Sequence, residues 1–76
     1  MQIRLVFVNV SPGSERDVHE YLQKKRGVTE AHPLLGGYDI VARIEAESED
    51  IKPIIDDIRN YQGVLGTKTL TPISLV

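Results

Sequence analysis

The chain begins with a short apolar segment whose side chains alternate between two faces. Residues 3–10 are rich in β-branched and aromatic side chains, which favours a strand over a helix. Its two faces carry Ile3, Leu5 and Phe7 on one side and Val6, Val8 and Val10 on the other. Because both faces are apolar, we expect both to be covered.

A first helix is predicted over residues 14–26. Ser14 stands three residues before Asp17, a spacing similar to a capping box. An apolar stripe at helical spacing follows, made of Val18, Tyr21 and Leu22. The cations at 24–26 complement the helix dipole and Gly27 supplies a C-terminal cap, so we interpret this basic run as a helix end and not as a nucleic-acid site.

Two strands are predicted to follow, joined by a tight turn. Residues 28–35 form the weaker one, and Pro33 restricts it to a sheet edge because proline cannot donate a ladder hydrogen bond. Residues 38–46 alternate cleanly between apolar and polar positions. The turn between them predicts an antiparallel pair.

The second helix has the strongest periodic signal, and a last extended segment follows it. Apolar side chains recur at i, i+3, i+4, i+7 and i+10, at Ile51, Ile54, Ile55, Ile58 and Tyr61. We place Pro53 in the first turn, which puts the helix start near Asp50, and Gly63 ends the helix. Residues 64–76 are then extended, with Pro72 weakening their last part.

The order βαββαβ predicts a ferredoxin-like α+β fold formed by residues 1–76 as a single domain. Such a fold has a four-stranded antiparallel sheet with both helices on one face and the first and third strands at its centre. The other face would then expose apolar side chains to water, which a second copy packed sheet against sheet would cover. Val6 and Val8 are the first candidates for this contact, with Leu5 and Phe7 as the alternative register.

Composition excludes several classes of partner. The chain has 76 residues, no cysteine, two histidines and a net charge of −2. Disulfides are therefore excluded, and two histidines alone cannot supply the four ligands of a zinc site. We expect no metal and no cofactor. Without a basic stripe we expect no direct contact with nucleic acid. The N-terminus shows neither a signal peptide nor a membrane-spanning segment, so we expect a soluble, cytoplasmic protein with no membrane partner.

The turn before the third strand is the candidate binding site. Gly36 and Gly37 allow a tight reversal in which successive backbone N–H groups can face one concavity and hold a carboxylate. The neighbouring Asp39 can hold an ammonium group, so the corner suits a zwitterion. The alternative is that the glycines only turn a hairpin and that Asp39 caps its own turn.

Several motifs in this order resemble the effector-binding domain of the Lrp/AsnC regulators, also called the RAM domain. They are a glycine at position 13, Gly27-Val28-x-Glu30-Ala31, Leu35-Gly36-Gly37-Tyr38-Asp39-Ile40-Val41, and Gly63-Val64-x-x-Thr67-x-Thr69. The resemblance covers nearly the whole chain. It implies a non-enzymatic module that dimerises through its sheets, assembles dimers into rings and binds a free amino acid near this turn.

The predicted effector site combines both arguments. It consists of Gly36, Gly37, Tyr38, Asp39, Thr67 and Thr69, with His32 from the same or another subunit. The resemblance departs from the family at one point, because the first strand begins at the second residue and leaves no room for an N-terminal helix-turn-helix. We therefore expect a stand-alone sensing domain, acting by itself or by joining full-length Lrp/AsnC regulators.

Three alternatives stay open. An ACT-like domain would bind an amino acid at the loop after the first strand, a pure assembly subunit would bind none, and a small dimeric α/β-barrel enzyme would rely on His19, His32, Tyr38 or Asp39.

The apolar end at residues 72–76 is expected to pair with another subunit, since it has no protecting charge.

Overall fold

The computed structural model describes residues 1–74, whose elements follow the predicted βαββαβ order. The strands are β1 (Gln2–Val10), β2 (Val28–Pro33), β3 (Ile40–Ala46) and β4 (Val64–Leu70). The helices are α1 (Glu15–Lys24), between β1 and β2, and α2 (Ser48–Arg59), between β3 and β4. The predicted ferredoxin-like α+β class is confirmed.

The sheet has the strand order β2-β3-β1-β4, and every neighbouring pair is antiparallel. As predicted, β1 and β3 are the central strands. Val6 lies opposite Ala42 and Val8 opposite Ile40, so these side chains share one face. They form the core with the inward side chains of both helices, at Val18, Leu22, Ile51, Ile55 and Ile58.

The prediction that Val6 and Val8 form the subunit contact is wrong. Val6 and Val8 are both 0% exposed in the single chain, because the helices of the same chain already cover them. The opposite side of the sheet, which we call the open face, carries Leu5, Phe7, Glu30, His32, Val41, Arg43, Lys68 and Leu70. The alternative candidates, Leu5 and Phe7, therefore lie on the uncovered side of the sheet.

The start of α1 differs from the capping-box prediction. Ser14 is the N-cap residue, but its side chain makes no capping hydrogen bond. Its Oγ lies 3.0 Å from Ser11 Oγ instead. The Ser14 N–H, which Asp17 was expected to help cap, donates to the Ser11 carbonyl at 3.0 Å instead. The neighbouring Gly13 N–H donates to Glu15 Oε1 at 2.9 Å.

The start of α2 also differs, because the helix begins earlier than Asp50. It starts at Ser48 after the N-cap residue Glu47, and Pro53 lies inside the helix in its second turn. Proline has no N–H to give to the carbonyl of Glu49, four residues earlier, so one helical hydrogen bond is missing there. The apolar stripe of isoleucines outweighs this loss.

Three strands are shorter than predicted. β2 stops at Pro33, β3 starts at Ile40 and β4 stops at Leu70, so residues 34–39 form a longer loop. Residues 71–74 lie outside any strand. The remainder of the predicted C-terminal segment, Leu75 and Val76, lies outside the described residues. Across residues 1–74, no helix has the length and apolar character needed to span a membrane.

Candidate functional site

The glycine corner is the tip of the loop that joins β2 to β3. The Leu34 N–H donates to the Asp39 carbonyl at 2.8 Å and closes this loop. Gly36 has a φ of +130°, and no atom lies within 4 Å of the position that a Cβ would take at Gly36 or Gly37. Leu35 beside them is fully exposed. The corner therefore projects from the molecule and is open to a ligand or another subunit.

Asp39 ties the base of this loop to the end of β1. Its Oδ2 accepts a hydrogen bond of 2.8 Å from the Val10 N–H, and its own N–H donates to the Val8 carbonyl at 3.0 Å. Its other carboxylate oxygen, Oδ1, has no hydrogen-bond donor among residues 1–74. One oxygen thus has a structural role, and the second is available to a ligand.

A cleft of about 330 Å³ lies between the first half of α1 and this loop. Its wall consists of Glu15, Arg16, His19, Pro33, Leu34, Asp39 and Ile40. His19 Nε2 lies 2.9 Å from the Ala31 carbonyl oxygen, a hydrogen bond that fixes α1 on the edge strand β2. The cleft is therefore held between two elements whose relative position is set by a direct contact.

The cleft offers groups of both charges beside an apolar wall. Arg16 supplies a guanidinium that forms no ion pair with another described residue, and Asp39 supplies a carboxylate. A guanidinium can hold a carboxylate with two parallel hydrogen bonds, and a carboxylate can accept from an ammonium group. Pro33, Leu34 and Ile40 add apolar surface. This arrangement can bind a small zwitterion that has an apolar side chain.

Two of the predicted site residues lie on the open face. The Tyr38 ring packs against Phe7, with ring centroids 5.5 Å apart and an interplanar angle of 56°. His32 Nε2 lies 3.0 Å from Glu30 Oε1, and this hydrogen bond lowers the pKa of the Glu30 carboxyl. His32 pairs with Val41 in the sheet register, which directs its side chain away from the helices. Within one chain, both residues lie apart from the cleft.

Thr67 and Thr69 lie on β4, which β1 separates from β3. They pair with Val8 and Val6 and therefore point to the helix-covered side. Thr67 Oγ1 is buried without a hydrogen-bond partner in the described part of the chain, whereas Thr69 is exposed. A single chain does not bring these hydroxyls to Asp39. Of the predicted residues, only Asp39 lines the cleft.

Arg16, His19 and Leu34 line the cleft but were not part of the predicted site. A signal for the first two was present, because a helix that connects two strands of one sheet packs over those strands. α1 had to lie across the β2 edge, with residues 16 and 19 on one side of the helix. No group of three or more His, Asp or Glu side chains that could hold a metal ion occurs in residues 1–74.

A family of known proteins matches nearly the whole length of this chain. The family described as the Lrp/AsnC ligand binding domain matches residues 4–76. A comparison with curated proteins finds no match.

Solved structures show the same fold. Hypothetical protein PHS023 from Pyrococcus horikoshii is 28% identical with a TM-score of 0.88, over 97% of this chain and 92% of that one. FFRP-DM1 is 28% identical with a TM-score of 0.90, over 96% of this chain and 100% of that one. The transcriptional regulator NMB0573 from Neisseria meningitidis, solved as a complex with L-Met, is 13% identical with a TM-score of 0.83, over 99% of this chain and 51% of that one. The chain belongs to the Lrp/AsnC ligand-binding domain family.

Proposed function

We propose that this chain senses a free amino acid and serves as an oligomerisation module of the Lrp/AsnC regulator type. Membership of the ligand-binding domain family supports a regulatory sensing role. A transcriptional regulator of the same fold that was solved with L-Met supports an amino acid as the class of effector. The cleft volume of about 330 Å³ is at the small end of the usual range for ligand sites, about 300–1,000 Å³, and suits a small molecule.

The observation that carries the proposal is the free carboxylate oxygen of Asp39 in a cleft that also contains Arg16. Asp39 Oδ1 accepts a hydrogen bond from the ammonium group of the effector, and the Arg16 guanidinium holds its carboxylate. The effector side chain then lies on Leu34 and Pro33. This geometry favours an amino acid with an apolar side chain.

The other predicted site residues enter the proposal as contributions from a second subunit. Tyr38, His32 and Thr69 have surface that another chain can reach, whereas Thr67 Oγ1 is buried and needs a local opening. A site that is shared between subunits couples effector binding to assembly. Such coupling is the physical basis on which a sensing domain can act.

The proposed partners follow from the same surfaces. A dimer forms across the open face, dimers assemble further, and the module can join full-length regulators of the family. Direct contact with DNA is not expected at a net charge of −2. We propose binding without catalysis, because the family of this chain is described as a ligand binding domain.

Substitutions that remove charge without removing hydrogen bonds test this site. Asp39→Asn keeps a carbonyl acceptor for the Val10 N–H, so the fold should persist while the attraction for an ammonium group is lost. Arg16→Gln removes the carboxylate anchor from an exposed position. A charge-assisted hydrogen bond contributes about 1.5–3 kcal/mol, so each change should weaken binding about tenfold or more.

The measurement is isothermal titration calorimetry with the amino acid that binds the unchanged chain most tightly. Lys52→Gln removes an exposed charge from α2 and should bind normally. Asp39→Ala serves as the structural control, because it leaves the Val10 N–H without its partner and should lower the free energy of unfolding by about 1–3 kcal/mol. Unchanged affinity in both Asp39→Asn and Arg16→Gln would refute the zwitterion site.

A further inference from the structure

The outer side of α1 carries charges that have no partner within the described chain. Asp17, Glu20, Tyr21 and Lys24 recur every three or four residues and therefore lie on one side of the helix, which we call the α1 outer face. Its three charged residues are exposed and form no ion pair or side-chain hydrogen bond with another residue of the range 1–74. These charges are available to a second molecule.

An aromatic stack forms the centre of this surface. The rings of Tyr21 and Tyr61 are nearly parallel, with centroids 3.7 Å apart and an interplanar angle of 10°. Beside them lies a concavity of about 440 Å³, bordered by the charged residues of the α1 outer face. Tyrosine is enriched at the cores of protein interfaces, where its ring is buried and its hydroxyl stays near water.

Asp17 and Lys24 lie on opposite sides of this stack along the helix, with Glu20 next to Tyr21 between them. Asp17 precedes Tyr21 by about one turn and Lys24 follows it by about one turn, so the two charges are about 10 Å apart along the helix at about 1.5 Å per residue. If a second α1 packs antiparallel across a two-fold axis near Tyr21, Asp17 of each copy faces Lys24 of the other. A parallel arrangement would instead oppose like charges.

We propose that the α1 outer face forms an isologous interface with a second copy of this chain, with the two helices antiparallel and Tyr21 near the axis. The surface of one short helix is smaller than the roughly 800 Å² per partner of a typical stable interface. The contact is therefore weak between isolated chains and rests on the proposed open-face dimer, because it acts by joining pairs that this dimer already holds. Two different isologous interfaces on one chain build a closed ring of dimers, of which the tetramer is the smallest, or an open array.

Charge reversal provides a test that separates this contact from a loss of folding. Asp17→Lys places lysine against lysine, and Lys24→Asp places aspartate against aspartate, in both halves of the symmetric contact. Either variant alone should have at most half the assembled mass of the unchanged chain. When the two variants are mixed in equal amounts, each lysine again faces an aspartate, and the larger assembly should return.

The masses are measured by sedimentation velocity at low ionic strength, with far-UV circular dichroism as the check on folding. Lys52→Asp reverses an exposed charge on α2, away from this face, and should leave the assembled mass unchanged. The proposal is overturned if both single variants keep the mass of the unchanged chain. It is equally overturned if the mixture stays at the smaller mass, since repulsion between copies would then not explain the loss.

Discussion

At the scale of single residues, the two glycines of the corner have different requirements. Gly36 has a φ of +130°, where side chains are strained, whereas Gly37 has open space around it and no positive φ. Gly36→Ala should therefore lower the free energy of unfolding by about 1–3 kcal/mol, and Gly37→Ala should change it little. Urea denaturation of the two variants measures this difference. Equal losses in both would contradict the assignment of the strained position.

The sequence predicts a binding role for Asp39 but does not reveal its main structural contact. That role was predicted from the glycine turn beside it, which is a local pattern. Its hydrogen bond to the Val10 N–H spans 29 residues and depends on the register between β1 and β3. Ser14 is a different case, because its observed partner, Ser11, is only three residues away and the predicted helix start was correct. Contacts that depend on tertiary register are not encoded in local spacing.

At the scale of elements, two contacts join α1 to the end of α2, the Tyr21–Tyr61 stack and an ion pair of 2.6 Å between Lys25 Nζ and Asp57 Oδ2. The hydrogen bond to Asp57 raises the pKa of Lys25 above 10.5, and burial raises the pKa of Tyr21 above 10.0. In both cases the folded chain holds the proton more tightly than the unfolded chain does. The stabilisation is therefore present below about pH 10 and is lost as the pH rises further.

We accordingly expect the free energy of unfolding to fall above about pH 10. The double variant Lys25→Gln/Tyr21→Phe should show a shallower fall, because it removes both titrating groups. Urea denaturation at a series of alkaline pH values gives the slope. Lys24→Gln, at a neighbouring lysine without an ion pair in the described chain, is the control and should keep the slope of the unchanged chain. An identical slope in the double variant would argue against this coupling.

Element type was predictable from periodicity, while element ends were not. The isoleucine stripe of α2 identified the helix, but its first turn carries no apolar signal and begins before Asp50. Pro53 is tolerated inside the helix because packing of the stripe compensates for one missing hydrogen bond. In β1 both faces are apolar, so the sequence could not distinguish the face that the helices cover from the open face.

At the scale of the whole molecule, the open face is the surface that we propose for dimerisation. Phe7→Asp adds a charge to this face and should give a folded monomer, or at least a smaller assembly. Val8→Asp adds the same charge to the core beneath the helices and should unfold the chain, since Val8 is 0% exposed. Light scattering and circular dichroism distinguish these outcomes. A Phe7→Asp variant with the original mass would exclude the open face as the interface.

The candidate site could be predicted only in part for a reason of scale. The loop that carries Asp39 is continuous in sequence, whereas the cleft also needs Arg16 and His19 from a helix that precedes it by about 20 residues. Thr67 and Thr69 were predicted to complete the site with Asp39, and a single chain keeps them apart. Sites that several elements share, or several subunits, depend on the assembled molecule.

The central claim is that the cleft beside Asp39 binds a free amino acid. The most direct measurement is a thermal-shift screen of the unchanged chain against each of the twenty amino acids. A ligand at 100 times its dissociation constant stabilises the folded state by about 2.7 kcal/mol, which raises the melting temperature of a small domain by several degrees. We predict such a shift for one or a few amino acids with apolar side chains and its absence in Asp39→Asn. No shift with any of the twenty at millimolar concentration would contradict the account.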